Sequence, residues 1–342
     1  MTQDVDNATP QDRFSRPIRD LRISLIDRCN YRCPYCMPSS KFGDDYAFLA
    51  RSARLSHDEI VRFAKIMVGL GVNKLRLTGG EPLLDKQIVE LVSRLAEIEG
   101  VQDLALTTNG QLLAPRAQAL RDAGLKRVTL SLDSIDPETF ASMSGGRGDL
   151  ATVMDGIAAA EAAGFVLKIN TVVQRGVNDG SVLDLLEHFR HSPHVVRMIE
   201  YMDVGNRNGW RRDEVVPSEE LLQEIAHRWP VSALEPNYRG EVARRYRYND
   251  GGGEIGFISS VTAPFCGDCH RARLAADGTL YTCLFATQGT RFLEPLRRGA
   301  TDEEIANMIS RVWRRREDRY SEQRAMSEQP LLPKVEMYRV GG

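Results

Sequence analysis

The sequence lacks several features that mark common classes of protein. Six cysteines in 342 residues are too few for a disulfide-rich scaffold, and all six belong to two groups. No apolar stretch approaches the roughly 18 residues that a membrane-spanning helix needs, and no secretory signal precedes residue 30. The net charge is only −2 and both signs are mixed, so bulk electrostatics do not favour nucleic-acid binding. We therefore expect a cytoplasmic protein with neither a membrane nor a nucleic-acid partner.

The first group of cysteines is unusually tight. Three residues separate Cys29 from Cys33, and two separate Cys33 from Cys36. This spacing allows one short loop to hold three thiolates around a cuboidal iron–sulfur cluster. Such clusters normally have four cysteine ligands, so a fourth iron would be open to another ligand. Zinc binding, a redox pair and buried filler are the alternatives. Structural zinc sites, however, usually combine a short gap with a distant second pair of ligands.

The second group of cysteines lies near the other end of the chain. Cys266 and Cys269 are separated by two residues, and Cys283 follows after thirteen more. A zinc site completed by the adjacent His270 is an open alternative, because three cysteines and one histidine are a common zinc set. Since the first triple already indicates a cluster, the second triple is predicted to hold another one, again with an open iron.

Strand-like and helix-like segments alternate from residue 21 to about residue 202. Strands are predicted over 21–26, 74–78, 103–107, 127–132, 166–173 and 195–200. Helices are predicted over 56–70, 86–97, 114–123, 150–163 and 182–189. Repeated βα units imply a parallel sheet covered by helices, and six units are too few for a closed eight-stranded barrel. The predicted fold class is α/β, an open, partial βα barrel of about six units with a small C-terminal cluster-bearing domain.

The length of the chain allows one large domain or a large domain with a small one, since 342 residues can bury roughly three quarters of their unfolded surface. We predict a flexible N-terminal arm over residues 1–15, the barrel over 16–205, and the C-terminal domain with its tail over 206–342. Monomer and homodimer both remain open.

One face of the predicted strands is polar and often cationic. Apolar residues alternate with this polar set, which includes Arg22, Lys74, Arg76, Thr107 and Lys168. Closed barrels fill their interior with branched apolar residues, so this inner face is predicted to line a ligand cavity. Burying unpaired cations costs several kcal/mol per ion, which favours an anionic, phosphate-rich ligand. A solvent-facing sheet surface is the alternative. The sixth strand is ambiguous, because Arg197 has the opposite parity to Glu200 and Met202.

Turn motifs follow several of these strands. Thr-Gly-Gly-Glu-Pro at 78–82 follows the second strand, and its glycines would let the backbone approach a ligand closely. Thr-Thr-Asn-Gly at 107–110 and Ser-Leu-Asp at 131–133 also stand at strand ends. Ordinary turn chemistry is the alternative for both.

The first triple and the 78–82 motif together resemble the radical S-adenosylmethionine (SAM) enzymes. Over nearly the whole chain the sequence is similar to the GTP 3′,8-cyclase family of molybdenum cofactor biosynthesis. The segments that carry this resemblance are Arg22 with 27–29, 76–82, 107–110, 200–205, 266–273 and the terminal Gly341-Gly342.

The resemblance implies roles for particular residues. The first triple would hold a [4Fe-4S] cluster that binds S-adenosylmethionine, and the second would hold another [4Fe-4S] cluster facing the guanine. Contacts to S-adenosylmethionine are implied for Tyr35, Gly80, Ser131 and Met202. Contacts to GTP are implied for Arg22, Arg76, Thr107, Lys168, Arg271, Ala272 and Arg273, of which Arg271 and Arg273 are also the expected catalytic residues.

The resemblance also implies a reaction and its partners. An external electron donor would reduce the first cluster, and a 5′-deoxyadenosyl radical would take hydrogen from C3′ of GTP. C3′ would then attack C8, and a further electron and proton would complete the cyclised nucleotide. The product would pass to cyclic pyranopterin monophosphate synthase. We hypothesise that the Gly341-Gly342 tail assists this catalysis.

Two other functions are compatible with the cysteines. A radical enzyme of the same fold acting on a peptide would cleave its cofactor only when peptide is present, and would not need the inward cations. A non-enzymatic iron or zinc sensor would show no cleavage and would hold zinc in the second triple. Two four-iron centres require about eight irons per chain, so metal analysis separates the sensor from both enzymes.

Overall fold

Six parallel strands separated by helices form the centre of the computed structural model, which describes residues 9–324 and 334–341. These strands are β1 (Asp20–Ser24), β2 (Lys74–Thr78), β3 (Asp103–Thr108), β4 (Arg127–Ser131), β5 (Lys168–Val173) and β6 (Val195–Glu200). Each of the six predicted strands is present, with bounds that differ from the prediction by at most two residues. The bounds agree closely because strict alternation of apolar and polar residues identifies half-buried strands.

The helices between these strands pack on one side of the sheet. They are α1 (His57–Gly69), α2 (Ile88–Ala96), α3 (Ala117–Asp122), α4 (Pro137–Met143), α5 (Leu150–Ala162) and α6 (Val182–Phe189). Ser56 begins α1 with a capping box, since its hydroxyl accepts from Glu59 N while the Glu59 carboxylate accepts from Ser56 N. The helix predicted over 114–123 divides into a 3₁₀ turn and α3, and Pro115, which lacks an amide hydrogen, lies in that turn. No helix was predicted at α4.

The remaining elements follow residue 217. They are α7 (Ser218–Arg228), β7 (Val231–Leu234), β8 (Arg244–Tyr248), β9 (Glu254–Ile258), β10 (Arg271–Leu274), β11 (Thr279–Tyr281), β12 (Thr290–Arg291), α8 (Leu293–Arg297), α9 (Asp302–Arg314), α10 (Tyr320–Arg324) and α11 (Met337–Val340). No helix within residues 9–324 and 334–341 is both long enough and apolar enough to cross a bilayer.

The C-terminal strands extend both edges of the central sheet. β10 pairs in parallel with β1, and β9 pairs in parallel with β6. The full order is β12-β11-β10-β1-β2-β3-β4-β5-β6-β9-β8-β7, an open sheet that does not close into a barrel. The predicted α/β class and open barrel are confirmed. The domain boundary at residue 205 stays a prediction, although strands after it continue the same sheet.

The apolar faces of the strands form the core against the helices. Leu21, Ile23, Leu75 and Leu77 are at most 1% exposed, and the corresponding positions of β3 to β6 are equally buried. Complete burial of these side chains stabilises the sheet by roughly 1.5–3 kcal/mol each. The opposite face is therefore free to carry polar side chains for a ligand.

Candidate active site

The first cysteine loop begins five residues after β1. The amides of Cys36 and Met37 both donate to the carbonyl of Cys33, at 3.0 and 2.8 Å, which forms a tight turn around that residue. The buried guanidinium of Arg32 donates to the carbonyls of Cys29 (2.8 Å) and Phe42 (2.6 Å) and so fixes both ends of the loop. Burial raises the pKa of Cys29 to about 12 and that of Cys33 well above its usual range. Three such thiols ionise only beside a strongly cationic partner, which fits iron ligation.

The two glycines of the 78–82 motif pack directly against this loop. A Cβ on Gly79 would lie 2.5 Å from the carbonyl oxygen of Ile26, and one on Gly80 would lie 2.2 Å from that of Arg28. Neither distance is tolerated between real atoms. The backbone that these glycines approach is thus that of the cysteine loop, a packing role that the sequence analysis did not assign.

Glu81 connects the glycine motif to the turn after β3. Its buried carboxylate accepts from the amides of Leu83 (2.9 Å) and Asn109 (2.8 Å) and from the hydroxyl of Thr108 (2.8 Å). Burial raises its pKa to about 7 despite these donors. Asn109 in turn donates from Nδ2 to Asn30 at 2.9 Å. The two turn motifs therefore brace the first cysteine loop.

A small cavity beside Cys33 is lined by Tyr35, Asn109, Ser131 and Asp133. The Tyr35 hydroxyl donates to Asp133 Oδ2 at 2.7 Å, and the amide of Val172 donates to Asp133 Oδ1 at 2.8 Å. Burial raises the pKa of Asp133 to about 6. The structure thus brings together Tyr35, Ser131 and a cysteine of the first triple.

The second triple surrounds another cavity. Cys266, Cys269 and Cys283 line it together with Met202, Arg271 and Arg273. Burial opposes ionisation of Cys269, but Arg271 and Arg316 prevail and lower its pKa to about 6. Arg271 Nη2 lies 3.4 Å from Cys269 Sγ. Met202 therefore lies beside this triple, whereas Tyr35 and Ser131 lie beside the first.

His270 does not join the second triple. Its side chain lines a separate cavity with Lys74 and Tyr238, and its Nδ1 is 3.0 Å from the carbonyl oxygen of Asp268. Within residues 9–324 and 334–341, no three cysteine, histidine, aspartate or glutamate side chains converge on a single metal ion. The cysteine triples do not meet this single-ion arrangement either, and His270 lines a different cavity from the second triple.

Two buried arginines hold the backbone of the second triple. Arg16 Nη1 donates to the carbonyl of Cys266 at 2.6 Å, and Arg316 Nη1 donates to that of Cys269 at 2.7 Å. Both guanidiniums also bind Asp12 Oδ2, at 2.6 and 3.0 Å. Asp12 falls within the predicted arm, whose residues 1–8 lie outside the described part of the chain. Sequence reasoning missed this network, because no motif joins residues 300 positions apart.

The inner face of the sheet carries a dense set of charges. On the seven strands from β10 through β1 to β6, the inward positions hold eight cations and two carboxylates. They are Arg22, Lys74, Arg76, Arg127, Lys168, Arg197, Arg271 and Arg273, with Asp20 and Asp103. Register places Arg273, Arg22 and Arg76 side by side. Of the predicted GTP contacts, Ala272 alone points its side chain to the apolar face, because it pairs with Leu21.

Several inward polar atoms are buried without a hydrogen-bond partner in the described residues. These atoms are Asp20 Oδ1, Arg22 Nε, Ser24 Oγ, Arg76 Nε, Thr107 Oγ1, Asn170 Oδ1 and Arg197 Nε. An unsatisfied buried polar group costs about 1–3 kcal/mol, and more when it is charged. A ligand rich in anionic oxygens would satisfy the guanidinium and hydroxyl donors together. The solvent-facing alternative is disfavoured, since these atoms are inaccessible to water.

The inward cations also disturb one another. Burial and neighbouring arginines lower the pKa of Lys168 to about 8 and that of Arg197 to about 9. Burial, followed by repulsion from Arg273 and Arg76, lowers the pKa of Arg22 well below its ordinary value. Each shift means that an anion placed among these groups would stabilise their charged forms.

Arg197 is the inward cation that sequence analysis left ambiguous. It pairs in register with Asn170, which fixes its side chain on the cavity face. Glu200 has the opposite parity, and its buried carboxylate accepts from the amides of Ser218, Val261 and Thr262. Arg197 and Glu200 therefore lie on opposite faces of the sheet, and strand register is the observation that shows it.

The end of the chain reaches this cavity. Arg273 Nη1 donates to the carbonyls of Val340 (3.2 Å) and Gly341. Gly341 adopts φ +71°, and a Cβ there would lie 2.1 Å from Thr78 Cγ2. The tail thus lies between Arg273 and the end of β2. Gly342 is outside the described residues, and the catalytic role of the tail stays a hypothesis.

Comparison with known proteins agrees with the fold. The family model described as Radical SAM superfamily matches residues 23–189, and that described as Molybdenum Cofactor Synthesis C matches residues 194–322. Streptococcus suis SuiB bound to S-adenosylmethionine superposes with a TM-score of 0.60 at 14% identity, over 85% of this chain and 67% of that one. Native anSMEcpe with bound AdoMet gives 0.53 at 15% identity, over 80% and 78%. At these identities the likeness shows the fold alone.

Together the open sheet, the loop that carries the first triple and the superfamily match define a radical SAM enzyme. The GTP 3′,8-cyclase of Xanthomonas campestris pv. campestris strain 8004 is 54% identical over 100% of both chains. That of Acidothermus cellulolyticus is 48% identical over 100% of both, and that of Staphylococcus aureus strain JH9 is 44% identical over 97% of this chain and 98% of its own. The chain belongs to the GTP 3′,8-cyclase family, as the sequence motifs predicted.

Proposed function

We propose that this enzyme cyclises GTP to 3′,8-cyclo-7,8-dihydroguanosine 5′-triphosphate, the first step of molybdenum cofactor biosynthesis. The observation that carries this proposal is the set of inward cations with unpartnered Nε atoms at Arg22, Arg76 and Arg197. A polyanionic nucleotide is the natural counterpart of such a surface. The full-length identity to GTP 3′,8-cyclases supports the same substrate.

Each cysteine triple would hold one [4Fe-4S] cluster. Cys29, Cys33 and Cys36 would bind the cluster that carries S-adenosylmethionine, while Cys266, Cys269 and Cys283 would bind a second cluster beside the guanine. When bound and reduced, the first cluster with S-adenosylmethionine supplies a 5′-deoxyadenosyl radical. The three half-buried free cysteines of each site and the absence of a fourth nearby cysteine in the sequence support one open iron per site.

The cavity beside Cys33 would receive S-adenosylmethionine. Ser131 and Tyr35 line that cavity, and the backbone of Gly80 contacts the cysteine loop itself. Asp133 fixes the Tyr35 side chain, so the Tyr35 backbone is held in one orientation toward the ligand. Met202 would contact the cofactor from the side of the second triple.

The inner face would orient GTP between the two triples. Arg271 and Arg273 line the second cavity, where they would hold the guanine end and act as the catalytic residues of the reaction. Arg22, Arg76, Lys168 and Thr107 would bind the ribose and phosphates, and Ala272 would contribute through its backbone. Enclosure by the sheet keeps water from the reacting ribose, which protects a radical from side reactions.

The reaction also requires partners that belong to this proposal. An external donor would deliver electrons, and a cyclic pyranopterin monophosphate synthase would take the product. A cytoplasmic location stays a prediction, and monomer and homodimer remain alternatives. The peptide alternative does not explain the inward cations, because a peptide substrate need not carry the anionic groups that would pair with them. The sensor alternative does not explain the cavity proposed for S-adenosylmethionine.

The decisive experiment uses anaerobic protein with rebuilt clusters, S-adenosylmethionine, dithionite and GTP deuterated at C3′. We expect deuterium in 5′-deoxyadenosine only when GTP is present. Cleavage of S-adenosylmethionine without deuterium transfer would retain the radical enzyme and remove GTP as the substrate. No cleavage by well-reconstituted protein would instead favour the sensor, and zinc in the second triple would support that function further.

A further inference from the structure

The loop between β7 and β8, residues 235–243, crosses the open side of the barrel. Its strands lie at one end of the sheet, and seven strands separate β8 from β10 along the sheet order. Even so, Arg239 Nε binds Asp268 Oδ1 at 2.8 Å, within the loop that joins Cys266 to Cys269. The loop therefore connects the two edges of the open sheet at the mouth formed by the N-terminal ends of β1 and β2.

Close backbone packing reinforces this connection. Gly240 has φ +84°, and a Cβ there would lie 2.8 Å from the carbonyl oxygen of Asp268 and 3.0 Å from the ring of His270. Within the loop, Asn237 donates from its amide to Glu241 at 2.6 Å, and Glu241 N donates back to the carbonyl of Tyr238 at 3.1 Å. The segment is a folded turn that presents Tyr238 in a defined place.

Tyr238 lies at the boundary between the inward cations and an outer cavity. Its ring centroid is 3.7 Å from Lys74 Nζ, a cation–π contact with the first residue of β2. The outer cavity, about 440 Å³, is lined by Tyr238 and Lys74 with Arg19, Arg239 and His270. The Tyr238 side chain is 46% exposed, so its hydroxyl can turn toward a ligand without breaking core packing.

Charged residues on the inner face of the sheet affect the pKa of the Tyr238 phenol. Burial and the carboxylate of Glu241 raise its pKa, while Arg127 and Arg76 partly oppose that rise. The phenol therefore stays protonated at neutral pH and is available as a hydrogen-bond donor. Because the Tyr238 ring lies beside Lys74, its hydroxyl stands at the end of the inward cation set that is remote from the first cysteine loop.

We propose that Tyr238 reads the length of the phosphate chain, by donating a hydrogen bond from its hydroxyl to the terminal phosphate of the nucleotide. The 235–243 loop then closes the phosphate end of the cavity. This inference rests on the proposed function, which puts the guanine beside Arg271 and Arg273 and directs the phosphates toward Arg22, Arg76 and Lys168. A nucleoside diphosphate would end before Tyr238, so the loop selects triphosphates.

The test compares nucleotides of different phosphate length on full-length protein with rebuilt clusters, by anaerobic equilibrium dialysis. Tyr238→Phe keeps the ring over Lys74 and removes only the hydroxyl. We expect GTP affinity to fall about tenfold, as for a lost hydrogen bond to a charged group. GDP and guanosine affinities should change less than twofold.

Tyr248→Phe is the matched control, because Tyr248 lies in β8 of the same hairpin. Its hydroxyl is buried with no partner among the described residues, and its ring packs on Trp229. GTP affinity should be unchanged in this variant. Circular dichroism and iron content confirm that both variants fold and hold their clusters.

The outcomes separate this inference from the function on which it rests. Wild-type protein that binds no GTP would overturn both. GTP binding by wild type that Tyr238→Phe leaves intact would overturn the role of Tyr238 alone. An equal loss for GTP, GDP and guanosine would also overturn it, since the ring position rather than phosphate length would then be responsible.

Discussion

The two cysteine sites are built in opposite ways. The first is local, because Cys29, Cys33 and Cys36 share one turn and the loop rests on Gly79 and Gly80 from the neighbouring strand. The second is assembled from distant segments, since its cysteines span 266–283 and its backbone is held by Arg16 and Arg316. Glycine packing and the loop's own Arg32 shape the first site, whereas guanidiniums from distant segments shape the second.

Their electrostatics differ in the same way. Burial raises the pKa of Cys29 to about 12, with only partial relief from Arg32, whereas Arg271 and Arg316 overcome burial and lower that of Cys269 to about 6. Cys283 of the second site resembles Cys29, because burial raises its pKa to about 12 as well. The cations of the second site therefore favour the thiolate of Cys269 in particular. The two proposed cluster sites should fail through different changes.

The largest expected effect comes from Gly80→Ala. Its Cβ would lie 2.2 Å from the carbonyl oxygen of Arg28, a backbone atom that cannot move without distorting the first cysteine loop. We expect iron to fall from about eight to about four per chain, and cleavage of S-adenosylmethionine to be lost.

Gly267→Ala is the matched control for that variant, because Gly267 lies between Cys266 and Cys269 and its Cβ would meet no atom within 4 Å. Iron content should remain near that of wild type. If both variants lost the same amount of iron, the contrast between glycine packing and arginine bracing would be wrong.

Arg316→Ala should act on the second site instead. Removing this buried side chain leaves the carbonyls of Cys269 and Thr282 without this donor and leaves Asp12 paired with Arg16 alone. Breaking a buried ion pair costs up to about 3–5 kcal/mol. We expect a lower thermal midpoint and loss of the second cluster, with the first still able to bind S-adenosylmethionine. Iron analysis and electron paramagnetic resonance would measure both.

Arg315→Ala is the matched control, because Arg315 precedes Arg316 in the chain and its side chain is exposed. It should leave stability and both clusters unchanged. Retention of the second cluster in Arg316→Ala at full occupancy would show that the cysteines need no bracing from this arginine.

A smaller effect is expected in the cavity between the sites. Burial and neighbouring arginines lower the pKa of Lys168 to about 8, and bound phosphate would raise it again. Above about pH 8, Lys168 is therefore largely neutral in the free enzyme but still positively charged in the complex with GTP. GTP affinity should be constant below pH 7 and fall about fivefold between pH 8 and pH 9.

Lys168→Arg should make the fall over the same range smaller, because the ordinary pKa of arginine lies about two units or more above that of lysine. Arg197, whose pKa is about 9, would account for part of the fall that remains. Equilibrium binding at fixed ionic strength from pH 6 to pH 9 would test this. An unchanged slope in the arginine variant would assign the titration to another group.

Much of the fold was predictable, because β1 to β6 alternate strictly between apolar and polar residues. Alternation also placed Arg22, Lys74, Arg76 and Lys168 on the cavity side. It did not decide the face of Arg197, because β6 carries Arg197 on one face and Glu200 on the other, and only the pairing with Asn170 assigns them. The roles implied for Tyr35, Gly80, Ser131 and Met202 stay predictions, although each lies beside one of the two triples.

Long-range pairing accounts for most of what the sequence did not reveal. β9 and β10 are short, and no sequence pattern in them indicates that β9 pairs with β6 or that β10 pairs with β1. The Asp12, Arg16 and Arg316 network is likewise formed by residues with no local pattern. Periodicity reports which face a residue occupies, but it contains no information about which distant strand lies beside it.

The pairing of β1 with β10 has a consequence for synthesis on the ribosome. Asp20 pairs with Arg271, so 251 residues must be translated after Asp20 before its partner exists. At about 5–20 residues per second, this takes roughly 13–50 s. During that interval β1 has an unpaired edge of the kind that other chains can join. The first cysteine loop is complete early in this period, whereas the second triple is complete only after the period has ended, when Cys283 has been made.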